Sequence, residues 1–176
     1  MAETWTTQVI KRDGTTEPFD LERLAGALWR GLYAVGGTLT DARQLAKAVA
    51  LHLGRQRRTD VTSDELFEMM LKALRRVRFA EAAELLLLHR TLRSVRREQL
   101  HVRHHGDQLT RWEKRWLVRV AMEIWPISHR MARIIAGEVE ERLLVPDRTE
   151  VAREKVLSML NRKMCELGLA DAVPMR

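Results

Sequence analysis

Strand-forming residues gather near the amino terminus and apolar side chains then recur every three or four residues, which predicts a short hairpin followed by helices. Trp5 to Lys11 carries strand-forming residues at Trp5, Thr6, Thr7, Val9 and Ile10, Arg12-Asp13-Gly14 supplies a turn in which glycine takes a positive φ, and Thr15 to Phe19 returns as a second strand. Pro18 places that returning strand at an edge or ends it early. Asp20 then stands at the N-cap of a first helix with Leu21, Leu24, Leu28 and Leu32 on one face; Arg23 at N3 makes this a simple cap and not a capping box. Gly36-Gly37 breaks it, and Thr40 or Asp41 caps a second helix containing Leu45, Ala46, Val49 and Leu53. Thr62 or Ser63 caps a third, with Glu65 in its first turn and a stripe of Leu66, Met69, Met70, Ala73 and Leu74. A fourth begins near Phe79 and continues through Arg90 to Leu92, and its run Leu85-Leu86-Leu87-Leu88 puts it at the centre of a bundle.

The polar stretch Arg96 to Asp107, rich in arginine and histidine, reads as a boundary or hinge. Beyond it Thr110 caps a helix bearing Trp112, Trp116, Leu117, Val120, Ala121 and Ile124, which ends around Trp125-Pro126. Ser128 caps the next, through Leu143; Pro146 ends it, and Thr149 starts the last, through Leu167 with Gly168 as its C-cap. The two parts echo one another. An offset of 90 residues sets Leu45, Ala46 and Val49 against Ile135, Ala136 and Val139, and one of 93 sets Phe19, Asp20 and Leu24 against Trp112, Glu113 and Leu117. His101-Val102-Arg103-His104-His105-Gly106 is not a convincing strand and turn, so the second part is expected to lack the hairpin and to hold three helices only.

Composition narrows the class. The 176 residues have a formal net charge of +7, 45% hydrophobic side chains and four prolines, which suits a folded chain with anionic partners. The lone Cys165 forms no internal disulfide and supplies no zinc ribbon, and no metal site is expected from the histidines at 101, 104 and 105. No signal-like leader or bilayer-length apolar run stands out, so a cytoplasmic location away from membranes is expected. The carboxylates are scattered over helix faces, no base accompanies Cys165 and no P-loop is present, so an enzyme is not expected.

Lys11 and Arg12 adjoin the glycine turn, where basic side chains can reach phosphate oxygens. With that pair come Val9-Ile10-Lys11-Arg12-Asp13-Gly14, Glu17-Pro18-Phe19-Asp20-Leu21-Glu22-Arg23-Leu24, Val61-Thr62-Ser63-Asp64-Glu65-Leu66, and Ala82-Ala83 followed by His89-Arg90. In this order they resemble the ATP-cone family, the nucleotide-binding regulatory domain of ribonucleotide reductases and of repressors of their genes. The resemblance implies a mainly α fold in which a short β-hairpin lies over a four-helix bundle, with ATP or dATP, with or without Mg2+, held between them. On matching positions Val9 would enclose the base or sugar, Lys11 and Arg12 would meet the phosphates, and Glu17 and Asp20 would make polar contacts. Arg23 would contact phosphate where the family commonly has lysine, and Thr62 and Arg90 would line the pocket.

The expected organisation is a cone over residues 5–96, a linker or hinge over 97–109 and a small three-helix, cone-like module over 110–170. The expected role is regulatory: adenine-nucleotide occupancy would alter homo-oligomerisation or the binding of a partner such as a ribonucleotide reductase subunit, with exposed faces of residues 108–170 as the partner surface. The alternatives are a nucleotide-responsive transcriptional regulator that binds nucleic acid and a nucleotide-insensitive helical adaptor. The first departs from the family's repressors, whose DNA reader is a four-cysteine ribbon.

Overall fold

The computed structural model describes residues 7–12, 14–145 and 147–169. They form two compact units, residues 1–90 and 91–176 as the chain divides.

In the first unit β1 (Gln8–Ile10) pairs antiparallel with β2 (Thr16–Pro18) and parallel with β3 (Asp60–Thr62). The hairpin is therefore two-thirds of a three-stranded sheet with β1 in the middle, and Pro18 ends the edge strand β2. Trp5, Thr6 and Asp13 lie outside the described residues. Helix α1 (Leu21–Tyr33) starts at Asp20, whose side chain accepts the Arg23 amide at 3.1 Å. Helix α2 (Leu39–Arg55) is capped by Thr38 in a capping box with Asp41, so Asp41 is the N3 partner of the cap and Thr40 lies inside the helix. β3 runs into α3 (Ser63–Arg76), where Thr62 and Glu65 form a second capping box. Val9, Val61, Leu24, Leu28, Leu53, Met70 and Leu74 join the core beneath the sheet.

Helix α4 (Ala80–Gln99) runs well past Leu92 and differs from its expected central role. It buries Ala82, Ala83 and Leu86, whereas Leu85, Leu87, Leu88 and Leu92 are exposed. The small residues allow close approach: a Cβ added to Gly31 of α1 would sit 2.8 Å from the Ala82 carbonyl oxygen and 2.7 Å from Leu86 Cγ.

The second unit corrects the expectation of a missing hairpin. β4 (His101–Arg103) pairs antiparallel with β5 (Leu109–Arg111) and parallel with β6 (Glu150–Ala152). Helices α5 (Lys114–Ile124), α6 (His129–Leu143) and α7 (Arg153–Glu166) complete it. Thr110 is thus a strand residue and α5 starts at Glu113; Thr149 precedes a strand and α7 starts at Ala152. Ser128 does cap α6, α5 stops before Trp125-Pro126, and Gly168 takes φ 65° after α7, as the sequence predicts; Pro146 lies outside the described residues.

The repeat extends to the backbone. Gln8, Lys11 and Phe19 donate to the carbonyls of Thr59, Thr15 and Thr7, and His101, His104 and Trp112 donate to those of Thr149, Gln108 and Leu100. Positive φ recurs at Gly14 and Asp107, at Arg57 and Asp147, and at Arg78 and Gly168. Both sets keep the 93-residue spacing up to the start of the first helix and 90 after the second begins.

Candidate functional site

The parallel pairing of β1 with β3 brings the start of α3 beside the hairpin, and α1 follows directly from β2. A cavity of about 160 Å³ forms where the three meet, lined by Val9, Lys11, Glu17, Asp20, Arg23, Leu24, Ser63, Leu66, Phe67 and Met70 among others. Its apolar wall faces a small charged group. Glu17 is buried, and its Oε2 lies 3.3 Å from Lys11 Nζ and 2.6 Å from the Arg23 guanidinium that donates to it. One enclosed carboxylate thereby orients two cations from different elements toward one volume.

A second group flanks the first. Arg12 Nε donates to Asp64 Oδ1 at 3.2 Å, and Arg90 of α4 donates to the same oxygen while its guanidinium lies 4.3 Å from the centre of the Phe67 ring. Burial raises the Asp64 carboxyl, but Arg12 and Arg90 outweigh it and hold the group below the usual carboxylate range. Phe67 lines the cavity on one side and receives Arg90 on another.

Of the residues expected at the site, Val9, Lys11, Glu17, Asp20 and Arg23 line the cavity together. Asp20 also caps α1. Arg12 and Arg90 converge on Asp64 beside it. Thr62 is occupied as a helix cap: its hydroxyl accepts the Glu65 amide, and its backbone amide donates to the Glu65 carboxylate at 2.8 Å, which, with Arg58 and the Thr62 hydroxyl, holds Glu65 at about 2. Asp64, Phe67 and Met70 were not foreseen. Asp64 stands in the segment that carries the family resemblance and Met70 in the apolar stripe of α3, but neither fact assigns them to the site, and β3, the strand that carries them to the hairpin, is too short to show a period.

The second unit repeats this architecture with different chemistry. At the 93-residue spacing, His104, Thr110 and Trp116 stand where Lys11, Glu17 and Arg23 stand in the first. His104 Nε2 shares a 2.8 Å hydrogen bond with Thr110 Oγ1 and meets the Trp116 ring edge-on, with 6.3 Å between centres. Trp112 packs against Trp116 at the same separation, and the Arg153 guanidinium lies 6.0 Å from the Trp116 ring centre. An imidazole, a hydroxyl and an indole replace the two cations and the carboxylate they share. Among the described residues no group of three His, Cys, Asp or Glu is arranged to hold a metal ion, and no helix is long and apolar enough to cross a membrane.

The pattern of the ATP cone domain matches residues 7–95, half of the chain and the whole of the sheet and helices around the cavity. The chain belongs to the ATP-cone family. A vitamin B12-dependent ribonucleoside-diphosphate reductase of Thermoplasma acidophilum is 31% identical over 109 residues, covering 58% of this chain and 14% of that protein. The chain thus spans a small part of that relative's length. ATP cones are nucleotide-binding regulatory domains and not catalytic ones, and the cavity of this cone has the two faces such a role needs, an apolar wall and oriented cations.

Proposed function

We propose that the cone binds ATP or dATP under its hairpin and converts occupancy into a change of assembly or of partner binding. The observation that carries this reading is the convergence of Lys11 and Arg23 on Glu17 inside a cavity that Val9, Leu24, Leu66, Phe67 and Met70 also line. The residues fit a nucleotide: the apolar side chains suit the base, Lys11 and Arg23 the phosphates, and Arg12 and Arg90 lie close enough to extend the cationic field. The nucleotide itself supplies the negative charge, and Mg2+ bound to it would reduce what the protein must neutralise.

The volume has a mechanical implication. Small-molecule sites typically enclose about 300–1,000 Å³, and this cavity is about 160 Å³. A nucleotide would therefore extend beyond the cavity or widen it, and its phosphates would compete with Glu17 for Lys11 and Arg23. A ligand that binds a widened arrangement more tightly than the closed one shifts the population between them, which is the requirement for a switch. A ribonucleotide reductase subunit is a fitting partner, given the relative found.

Calorimetry with ATP, dATP, ADP and GTP, with light scattering on the same samples, tests both parts. ATP or dATP should bind, and Lys11→Ala or Arg23→Ala should weaken binding about tenfold or more, as loss of a charge-assisted contact does. Absence of adenine-nucleotide binding removes the proposal. Binding with no change in particle size or partner affinity removes the switch and leaves a nucleotide site.

A further inference from the structure

Away from the hairpin, α2 and α3 enclose a groove of about 720 Å³. Its floor is apolar, built from Leu45, Ala48, Val49, Met69 and Ala73, and Leu51 and Val77 stand at its edges 63% and 47% exposed. Its rim is His52, Arg55, Lys72, Arg75 and Arg76, with no carboxylate in the lining. Arg75 pairs with Glu84 at 2.8 Å, but among the described residues Arg55, Lys72 and Arg76 are in no ion pair. The groove therefore presents exposed apolar area and uncompensated positive charge together.

In the second unit the same face carries acids of the chain's own. At the 90-residue spacing, Ala48, Leu51 and Arg76 are replaced by Glu138, Glu141 and Glu166, and Ala73 by Lys163. There Lys163 Nζ lies 2.6 Å from Glu138 and 3.4 Å from Glu166, and Arg142 lies 3.8 Å from Glu166. Carboxylates cover positions that in the first unit are alanine and leucine: Glu138 pairs with Lys163 across α6 and α7, and Glu141 pairs with Arg93 of α4 at 3.2 Å. In the first unit the cations and the apolar floor are present, and the acids are absent.

We propose that the α2–α3 groove docks an amphipathic helix of a partner protein, one whose apolar stripe is flanked by aspartate or glutamate. The stripe fills the floor between Leu51 and Val77, and the flanking carboxylates meet Arg55, Lys72 and Arg76. A nucleic-acid backbone would satisfy the cations but leave the floor against water, so the apolar floor selects protein.

The test uses the full chain and a fluorescein-labelled helical peptide of about 18 residues, with leucines at helical spacing flanked by glutamates, read by fluorescence anisotropy. A second peptide carries lysine in place of each glutamate. The acidic peptide should bind at physiological ionic strength at least about tenfold tighter than the basic one. Installing the second unit's acids, Ala48→Glu with Leu51→Glu, should weaken the acidic peptide about tenfold or more, as should the milder Leu51→Ser, with helix content by circular dichroism unchanged. Arg119→Ala, at an exposed position of α5 in the second unit, should leave peptide affinity alone. Equal binding of both peptides, no binding, indifference to the groove variants, or loss of binding in Arg119→Ala overturns the proposal. So does finding that the groove variants abolish self-association of the chain or its binding to duplex DNA without affecting the peptide.

Discussion

Glu140 is enclosed entirely, 0% exposed, and remains ionised. Burial raises its carboxyl, but a bidentate Arg97, Arg93 at 2.7 Å and the Trp112 indole at 3.1 Å more than offset that and hold it at about 2. The contribution of this group is present above the unfolded value of 4.5 and is lost as pH falls through about 2. Lys114, at the start of α5, belongs to the same cluster; a Cβ on Gly137 would come within 2.8 Å of its Nζ. Burial lowers Lys114 to about 8, against the pull of Glu140 and reinforced by Arg133, Arg93 and Arg97. Between about 8 and 10.5 the unfolded chain holds more protons at this position than the folded one, so this lysine makes stability rise with pH across that window. Lys114→Met should raise the urea midpoint at pH 7 and flatten the rise; an unchanged pH profile in the variant contradicts the assignment. None of this was legible in the sequence, because residue 140 sits in an ordinary amphipathic pattern and its arginines come from another helix.

At the level of elements, α4 owes its place to small residues and not to its leucines. The Ala82 carbonyl cannot retreat from a methyl group at residue 31 without moving the helix, so Gly31→Ala should destabilise the cone by about 1–3 kcal/mol. Thermal unfolding checks this, and a variant as stable as the parent would show that α4 is loosely seated. The helices α1, α3 and α6 were readable because each pairs an amphipathic stripe with a side-chain cap, at Asp20, Thr62 and Ser128. The leucine run of α4 misled because contiguous apolar residues carry no face information. The six strands among the described residues are each three residues long and bury one or no side chain, too few to display alternation. Only the first hairpin, with its glycine turn, was visible; β3 and β6 were read as helix starts, and β4 and β5 as a linker and a cap.

Over the whole molecule, the chain repeats one architecture and varies its chemistry. The sequence pointed to a single nucleotide site because a second hairpin was thought missing. The hairpin is present, and the reason for one site passes to His104, Thr110 and Trp116, which offer a phosphate no paired cations. Titration should therefore give one adenine nucleotide per chain, with His104→Ala leaving the isotherm unchanged while Lys11→Ala weakens it. A stoichiometry of two would show that the second sheet also takes the ligand.

The carboxylate of Glu17 has a consequence for dosage. It is held on the same hairpin as Lys11, so it rivals any incoming anion and never diffuses away. On the proposed reading a nucleotide would have to supplant this resident, which would lift the threshold for loading above what the bare cations would set. The hairpin would then ignore scarce anions and respond to an abundant, multiply charged one.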